Sequence, residues 1–308
     1  MPIVIDNNVI DDADAIGLDD LVQYLNDAKI DTSDDGSMIE AGPMLKRLGN
    51  NRTFLSDLAL GELKTRTKLG AGANRYGPQV MMLTTPTGRE EKFFLRANFW
   101  PSSDDHILRS SGPEQFFYHR PHDHSFNFLT VGYFGPGYSS NYYVYDYDTT
   151  AGYPGEEVDI RFVEKSALHE GKVMLYRAFV DIHDQLPPES MSVSLNVMEL
   201  SVRGGALDQY MFDVENKTVS KMLNRMPLAC LMPLIAGVGD EDGLDYLVET
   251  SKSHVTERVR MMALRSIAAT KRNRDDCVAV FEGGAQSDSA LVSGWCRHQL
   301  GRLEALAA

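Results

Sequence analysis

Tyr118-His119-Arg120-Pro121-His122-Asp123-His124-Ser125-Phe126-Asn127-Phe128 carries three of the chain's eight histidines within six residues. Side chains on a strand alternate between its two faces, so His122 and His124 point the same way. Imidazole nitrogens paired like this are a two-toothed clamp for a transition metal. Whether a strand runs through this stretch therefore decides how the chain is read.

Its surroundings favour strands. Residues 79–84, 92–100, 126–133, 141–148, 158–163, 172–182, 191–200 and 209–214 are short runs rich in aromatic and β-branched side chains. Between them fall Thr87-Gly88, Gly135-Pro136-Gly137, Gly152-Tyr153-Pro154-Gly155 and Pro187-Pro188, which are turn formers. No helical period separates the runs. The pattern predicts an antiparallel sandwich or barrel of about eight strands, with a jelly roll fitting best.

Helical spacing brackets this region. Upstream, Leu18, Leu21, Val22 and Leu25 predict an amphipathic helix near residues 17–29, and Leu45, Leu48, Leu55, Leu58 and Leu60 predict a second pair broken at Gly49-Asn50-Asn51. Eleven carboxylates fall in residues 1–40. Asp31-Thr32-Ser33-Asp34-Asp35-Gly36 has the oxygen spacing of a calcium loop, but position twelve is Gly42 instead of the bidentate Glu, so a solvated turn between helices is the better reading. Downstream of Ser220, apolar periodicity at 228–235, 244–248, 255–267, 277–281 and 291–306 predicts about five helices with short polar links. These have the look of stacked HEAT-type hairpins, although no countable repeat is present. The expected organisation is a helical cap over 1–75, a metal-binding β-barrel over 76–215 and an all-helical domain over 216–308.

Composition narrows the function classes. The sequence has 44 acidic and 30 basic side chains, and its net charge of −14 disfavours nucleic acid or an anionic membrane as a partner. There is no basic-then-apolar leader and no apolar run of about 18 residues, so a cytoplasmic location is expected. Cys230, Cys277 and Cys296 are scattered and form no Cys-x-x-Cys pair; they read as reduced thiols.

A third histidine completes the clamp. His183 closes the run 172–182, and in a jelly roll it can meet His122 and His124 on a neighbouring strand, giving a facial three-nitrogen site with open positions. This arrangement resembles the cupin superfamily, which carries His-x-His near the start of one strand and a third His after a Gly-led strand. Here these are His122-Asp123-His124, Gly171 and His183. The Glu that often follows the first motif is replaced by Phe128 and Leu129, which resembles the three-histidine subset. Within that subset the chain is similar to the thiol dioxygenases, the cysteine dioxygenase-like cupins. They have a serine-bearing strand after the third His, matched by Val193-Ser194-Leu195-Asn196. The resemblance covers about residues 75–200. It departs where a second histidine and a tyrosine should follow the serine, since Asn196 and Met198 stand there, and no cysteine lies in the barrel region. It therefore implies a mononuclear iron(II) oxygenase more than it implies a thiol substrate.

Three neutral imidazoles leave a divalent ion its full charge, so an anionic chelating substrate is expected at the open positions. Copper, nickel and zinc also accept imidazole, and the site does not imply 2-oxoglutarate. Candidates to act beside the metal are Asn196, Arg96 and Asp123, with Asn127 as a further hydrogen-bonding partner. Arg96 would meet a substrate carboxylate if the face shared by Phe94, Arg96 and Asn98 is interior; the other reading is a solvated charge. Tyr143, Tyr145 and Tyr147 share a strand face and would line a pocket or half-bury at a seam. His119 is expected in a loop or beside the ligands, His106 in a mobile lid, His169 on the surface, and His254 and His298 as structural helical residues. The expected function is oxidation by dioxygen of a small polar molecule such as an amino-acid derivative or thiol. The C-terminal helices would serve a homodimer or a peptide or carrier partner. The alternative is a non-catalytic, ligand-binding or sensory cupin.

Overall fold

Alternation along β3 (Phe93–Trp100) sorts the first unit of the protein into layers. In the computed structural model, which describes residues 2–6, 14–69, 79–84, 92–200, 207–224 and 228–306, Leu95 and Ala97 point to one side of this strand, and Phe94, Arg96, Asn98 and Trp100 to the other. The same alternation holds on β4 (Phe128–Phe134), β7 (Val173–Tyr176) and β9 (Ser192–Glu199). Together with β1 (Ile3–Ile5) and β2 (Val80–Met82) they form a six-stranded antiparallel sheet in the order β1-β7-β4-β9-β3-β2. A three-stranded sheet, β6-β5-β8, is made by β5 (Ser139–Val144), β6 (Arg161–Ala167) and β8 (Asp181–Leu186).

One face of the large sheet is covered by helices. Leu129, Val131, Val173, Leu175, Leu195 and Val197 form one core with Leu21 and Leu25 of α1 (Leu18–Asp27), Met38 of α2 (Asp35–Glu40), Leu45 and Leu48 of α3 (Gly42–Asn50) and Leu55 of α4 (Phe54–Leu69). Each fully buried leucine contributes roughly 1.5–3 kcal/mol of transfer free energy, so the amphipathic stripe is reason enough for the helices to dock. The would-be calcium loop is a helix start, with Asp34 accepting the Ser37 amide at the N-cap of α2. The other face packs Trp100, Phe128, Met174, Tyr176 and Met198 against Tyr138 and Tyr142 from the small-sheet side. This interior holds the polar residues Arg96, Asn98, Thr130, Ser194 and Asn196.

The chain crosses between the sheets at two corners. Residues 118–122 bridge to β8, with Tyr118 opposite Gln185 and His122 opposite His183, before the chain enters the large sheet as β4. β7 of the large sheet leads through a tight turn into β8 of the small one. The expected strand over 172–182 is therefore two strands. Arg177 closes the turn by gripping Asp181 through Nε at 3.1 Å and Nη2 at 2.8 Å, with Phe179 at φ +63°. Asn127 ties the two corners together: its Oδ1 accepts the Ala178 amide at 2.7 Å, and its own amide donates to Glu199 at 2.7 Å. The described pairings leave the sheets as a two-layer arrangement and do not close a barrel.

The second unit comprises residues 146–159 and 210–308. Among the described residues it contains a hairpin and five helices; β10 (Tyr210–Asp213) falls on the strand expected at 209–214, and β11 (Thr218–Met222) runs on to where helical periodicity was expected to resume. These are α6 (Leu228–Val238), α7 (Glu241–Ser253), α8 (Glu257–Ala269), α9 (Arg274–Gly284) and α10 (Ala290–Ala305). The middle one, α8, is buried on two sides: Val259, Ala263 and Ile267 pack with Met232 and Leu247, and Met261, Leu264 and Ala268 with Phe281, Leu291 and Trp295. Residues 146–159 join this unit because Gly155 and Val158 donate backbone hydrogen bonds to Val219 and Lys217. No helix among the described residues is long and apolar enough to cross a membrane. The Thr87-Gly88 turn, the carboxylates Asp11 and Asp12, and the expected boundary at 75/76 lie outside the described residues.

Candidate metal centre

Extended backbone through His122-Asp123-His124 turns both imidazoles inward, and the bridge from His122 to His183, with paired N–H···O bonds of 3.1 and 3.0 Å, sets β8 beside them. His183 Nε2 then lies 2.9 Å from His124 Nε2 and 3.1 Å from His122 Nε2. All three rings are buried. His122 Nδ1 sits 2.6 Å from the Arg120 carbonyl and must donate to it, so its Nε2 carries a bare lone pair. Burial pushes the pKa of His122 down to about 4 and those of His124 and His183 well below the ordinary imidazole range, helped for the latter two by the neighbouring rings. Neutral imidazoles aimed at one point crowd lone pairs together unless a cation lies between them.

The donor set fits a transition metal. Two nitrogens bound at right angles with metal–nitrogen bonds of about 2.1 Å stand about 3.0 Å apart, which is the spacing of His183 Nε2 from the other two ring nitrogens. The three ligand nitrogens all lie within 4.8 Å of one another.

A cavity of about 200 Å³ opens on these nitrogens, lined by amides and aromatic rings as well as the histidines. Arg96 is on its wall: its backbone faces Asn196 in register across β3 and β9, and its guanidinium has no carboxylate partner in the described structure. Part of its surface stays accessible through the cavity, yet burial pulls its pKa down to about 10. No Asp, Glu, Lys or Cys is among the lining residues. Asn196 also lines the cavity and accepts from Thr130 Oγ1 at 2.5 Å, which fixes its amide.

Asp123, lying between the two inward histidines, faces the other way. Its carboxylate takes the Tyr145 hydroxyl at 2.5 Å and does not line the cavity. Asn127 serves the corners rather than the rings. Tyr143 packs on Phe162, and Tyr147 stacks on Tyr210. His119 is exposed with φ +56°, His106 is exposed at the start of a short helix, α5 (His106–Ser111, before α6 in the chain), and His169 is exposed; neither these nor His254 and His298 reach the cavity.

Several cavity residues carried no signal that the sequence reading used. Tyr138 follows the Gly135-Pro136-Gly137 turn and hydrogen-bonds with Tyr176, which in turn shares a 2.8 Å bond with Tyr142; burial raises all three phenols, Tyr142 to about 12, so they stay neutral donors. Gln209 donates to the Asp123 carbonyl at 2.7 Å. Gln185 lies two residues after His183 on the same strand face, a spacing that strand alternation could have revealed.

No family model and no curated protein matches the chain. Among solved structures, it is similar over part of its length to a DMSP lyase (12% identity, 44% of this chain and 52% of that one, TM-score 0.26). A salicylate 1,2-dioxygenase from Pseudaminobacter salicylatoxidans gives 11% identity over 47% of this chain and 33% of that one, with a TM-score of 0.26. Procruciferin, an 11S globulin from Brassica napus, gives 8% identity over 65% and 39%, with a TM-score of 0.27. The chain thus spans about half the length of the first of these and less of the others.

Proposed function

We propose that this protein is a cupin-type metalloenzyme that uses iron(II), held by His122, His124 and His183, to oxidise a small carboxylate-bearing molecule with dioxygen. The observation that carries the reading is the meeting of three buried, neutral imidazoles at His183 Nε2, 2.9 and 3.1 Å from its neighbours. Iron in that position would supply the redox chemistry toward dioxygen that no side chain of the cavity provides.

The residues divide the remaining work. Among the described residues Arg96 has no carboxylate partner and faces a cavity whose lining has no acidic group, so it draws in an anion and pairs with its carboxylate. Asn196, held by Thr130, presents a fixed amide to the same molecule. Tyr138 offers a neutral hydroxyl for a hydrogen bond to substrate oxygen. Trp100, Phe117, Phe126 and Phe128 supply apolar wall and exclude water. The missing cavity cysteine and the unmatched thiol-dioxygenase residues make an oxygen or nitrogen donor a better substrate than a thiol.

The test is metal content of the native protein and His124→Ala purified side by side without chelator, then oxygen uptake by iron-loaded protein with a panel of small carboxylates, amino acids and thiols. One iron per chain, lost in the variant, with uptake on a carboxylate supports the reading. Equal, trace metal in both proteins overturns it. Tight metal and carboxylate binding without uptake would transfer the site to the sensory class.

A further inference from the structure

Gln185 is the residue near the histidines whose position the three-nitrogen site does not explain. It is buried, and β-strand alternation puts it on the same face as His183. Its side-chain amide nitrogen lies 3.4 Å from His183 Nε2, the atom on which the other two rings converge. Its Oε1 is enclosed and has no hydrogen-bond partner among the described residues. A buried amide oxygen left unpaired costs free energy, roughly 1–3 kcal/mol in proteins.

The amide plane can be turned by half a rotation about its last bond, because oxygen and nitrogen occupy the same outline and their assignment follows from the surroundings. With no cation, the NH2 group facing a ring nitrogen is the sensible orientation. With a cation among the three Nε2 atoms, an NH2 group there would point hydrogens at positive charge. The turned amide removes that conflict and replaces the orphaned oxygen by a metal donor. The distance is suitable: two donors each about 2.1 Å from a metal and 3.4 Å apart subtend roughly 110°.

We propose that Gln185 Oε1 is a fourth protein ligand of the metal bound by His122, His124 and His183. This rests on the three-histidine reading and adds a neutral oxygen donor to it. An octahedral ion would then keep two open positions instead of three. A substrate that chelates through two atoms would fill both, so dioxygen could reach the ion only where Gln185 lets go. The backbone supports such an arm from two sides, since Gln185 pairs with Ser140 on β5 and its carbonyl accepts the His119 amide at 3.0 Å.

The experiment uses full-length protein and cobalt(II) as the probe. Affinity is read by competition with a coloured chelator, and coordination by the visible absorption of the bound ion. Gln185→Leu and Gln185→Asn, which removes the donor and shortens the arm respectively, should each weaken cobalt binding about tenfold or more, the scale on which supporting groups tune metal sites. Gln185→Glu should tighten it by a similar factor through the added negative charge, and each variant should shift the absorption bands. Thermal melts of the metal-free proteins identify any variant that has not folded, and the two remaining variants then decide. Native protein that binds cobalt while all folded variants match its affinity within threefold, with unchanged bands, overturns the fourth ligand and leaves the three histidines intact. Native protein that binds no cobalt overturns both.

Discussion

The hydroxyl of Tyr145 donates to the fully buried carboxylate of Asp123 at 2.5 Å, from the opposite side of the strand to His122 and His124. The bond anchors the one residue between the two metal-facing rings. Tyr145→Phe withdraws a donor from a buried charge and is expected to cost about 1–3 kcal/mol of stability. It should also weaken cobalt binding, because the histidine pair loses its backing. Calorimetry and chelator competition check the two effects; an unchanged melting temperature would show that Asp123 is held by its other contacts.

Arg96 should be a liability to the empty protein. Among the described residues no carboxylate offsets the desolvation of its guanidinium, and burial pulls its pKa down to about 10. Arg96→Met, similar in length and apolar, is expected to stabilise the metal-free protein by on the order of 1 kcal/mol. The same variant should lose at least tenfold in affinity for small carboxylates. Denaturant unfolding and isothermal titration would measure both; a less stable variant with unaltered carboxylate binding would place the arginine's role in packing.

The histidine cluster gives metal-free protein a definite acid response. A pKa of about 4 for His122 in the folded state, against 6.5 for an ordinary imidazole, means that the unfolded chain binds more protons between those values. The stability contribution is full above pH 6.5 and is lost as the pH falls from 6.5 toward 4, by about 3 kcal/mol for His122 alone at 1.36 kcal/mol per unit. The depressed His124 and His183 act in the same direction. Chemical denaturation of chelator-treated protein at pH 7, 6 and 5 should show the fall, and His183→Ala should flatten it.

Gly132 tests the packing where β4 passes the loop before β7. A Cβ there would lie 2.1 Å from the His169 carbonyl oxygen, which is backbone and cannot swing aside. Gly132→Ala is expected to destabilise by about 1–3 kcal/mol or more through forced backbone movement. A melt within one degree of the native protein would show that this loop yields freely.

The sequence made the clamp legible because two histidines at strand spacing announce themselves without any knowledge of the fold. The helices were legible for a similar reason: Leu21 and Leu25, or Val259, Ala263 and Ile267, repeat with the period of the face they bury. The run 172–182 was not, since the apolar strand residues continue through the turn, and only the Arg177–Asp181 grip, a side-chain event, breaks it. The strand β10 falls on the expected run 209–214, but its partner β11 was missed, because it follows the polar stretch Asp213-Val214-Glu215-Asn216-Lys217 and has no alternation to mark it. Arg96 was readable as one of two alternatives, and it took the packing of Leu95 and Ala97 on the helices to show which face is interior. Gln185 and Tyr138 were not singled out because an amide or a phenol in a strand carries no chemistry until its neighbours are known.

The two corners where the chain changes sheets have a consequence for how the protein matures. His122 and His124 sit beside one corner and His183 just beyond the other, 59 positions after His124. The Phe179 amide donates to the His124 carbonyl at 2.8 Å, so the corners interlock beside the rings. A chain emerging from the ribosome has only a weak two-nitrogen chelate until β8 is made and seated. A metal ion captured earlier would be easily surrendered, and one captured later would act as a clasp whose release requires the corners to part. Metal occupancy in a purified sample would then record the metal supply at the moment folding was completed, more than the supply at the moment of assay.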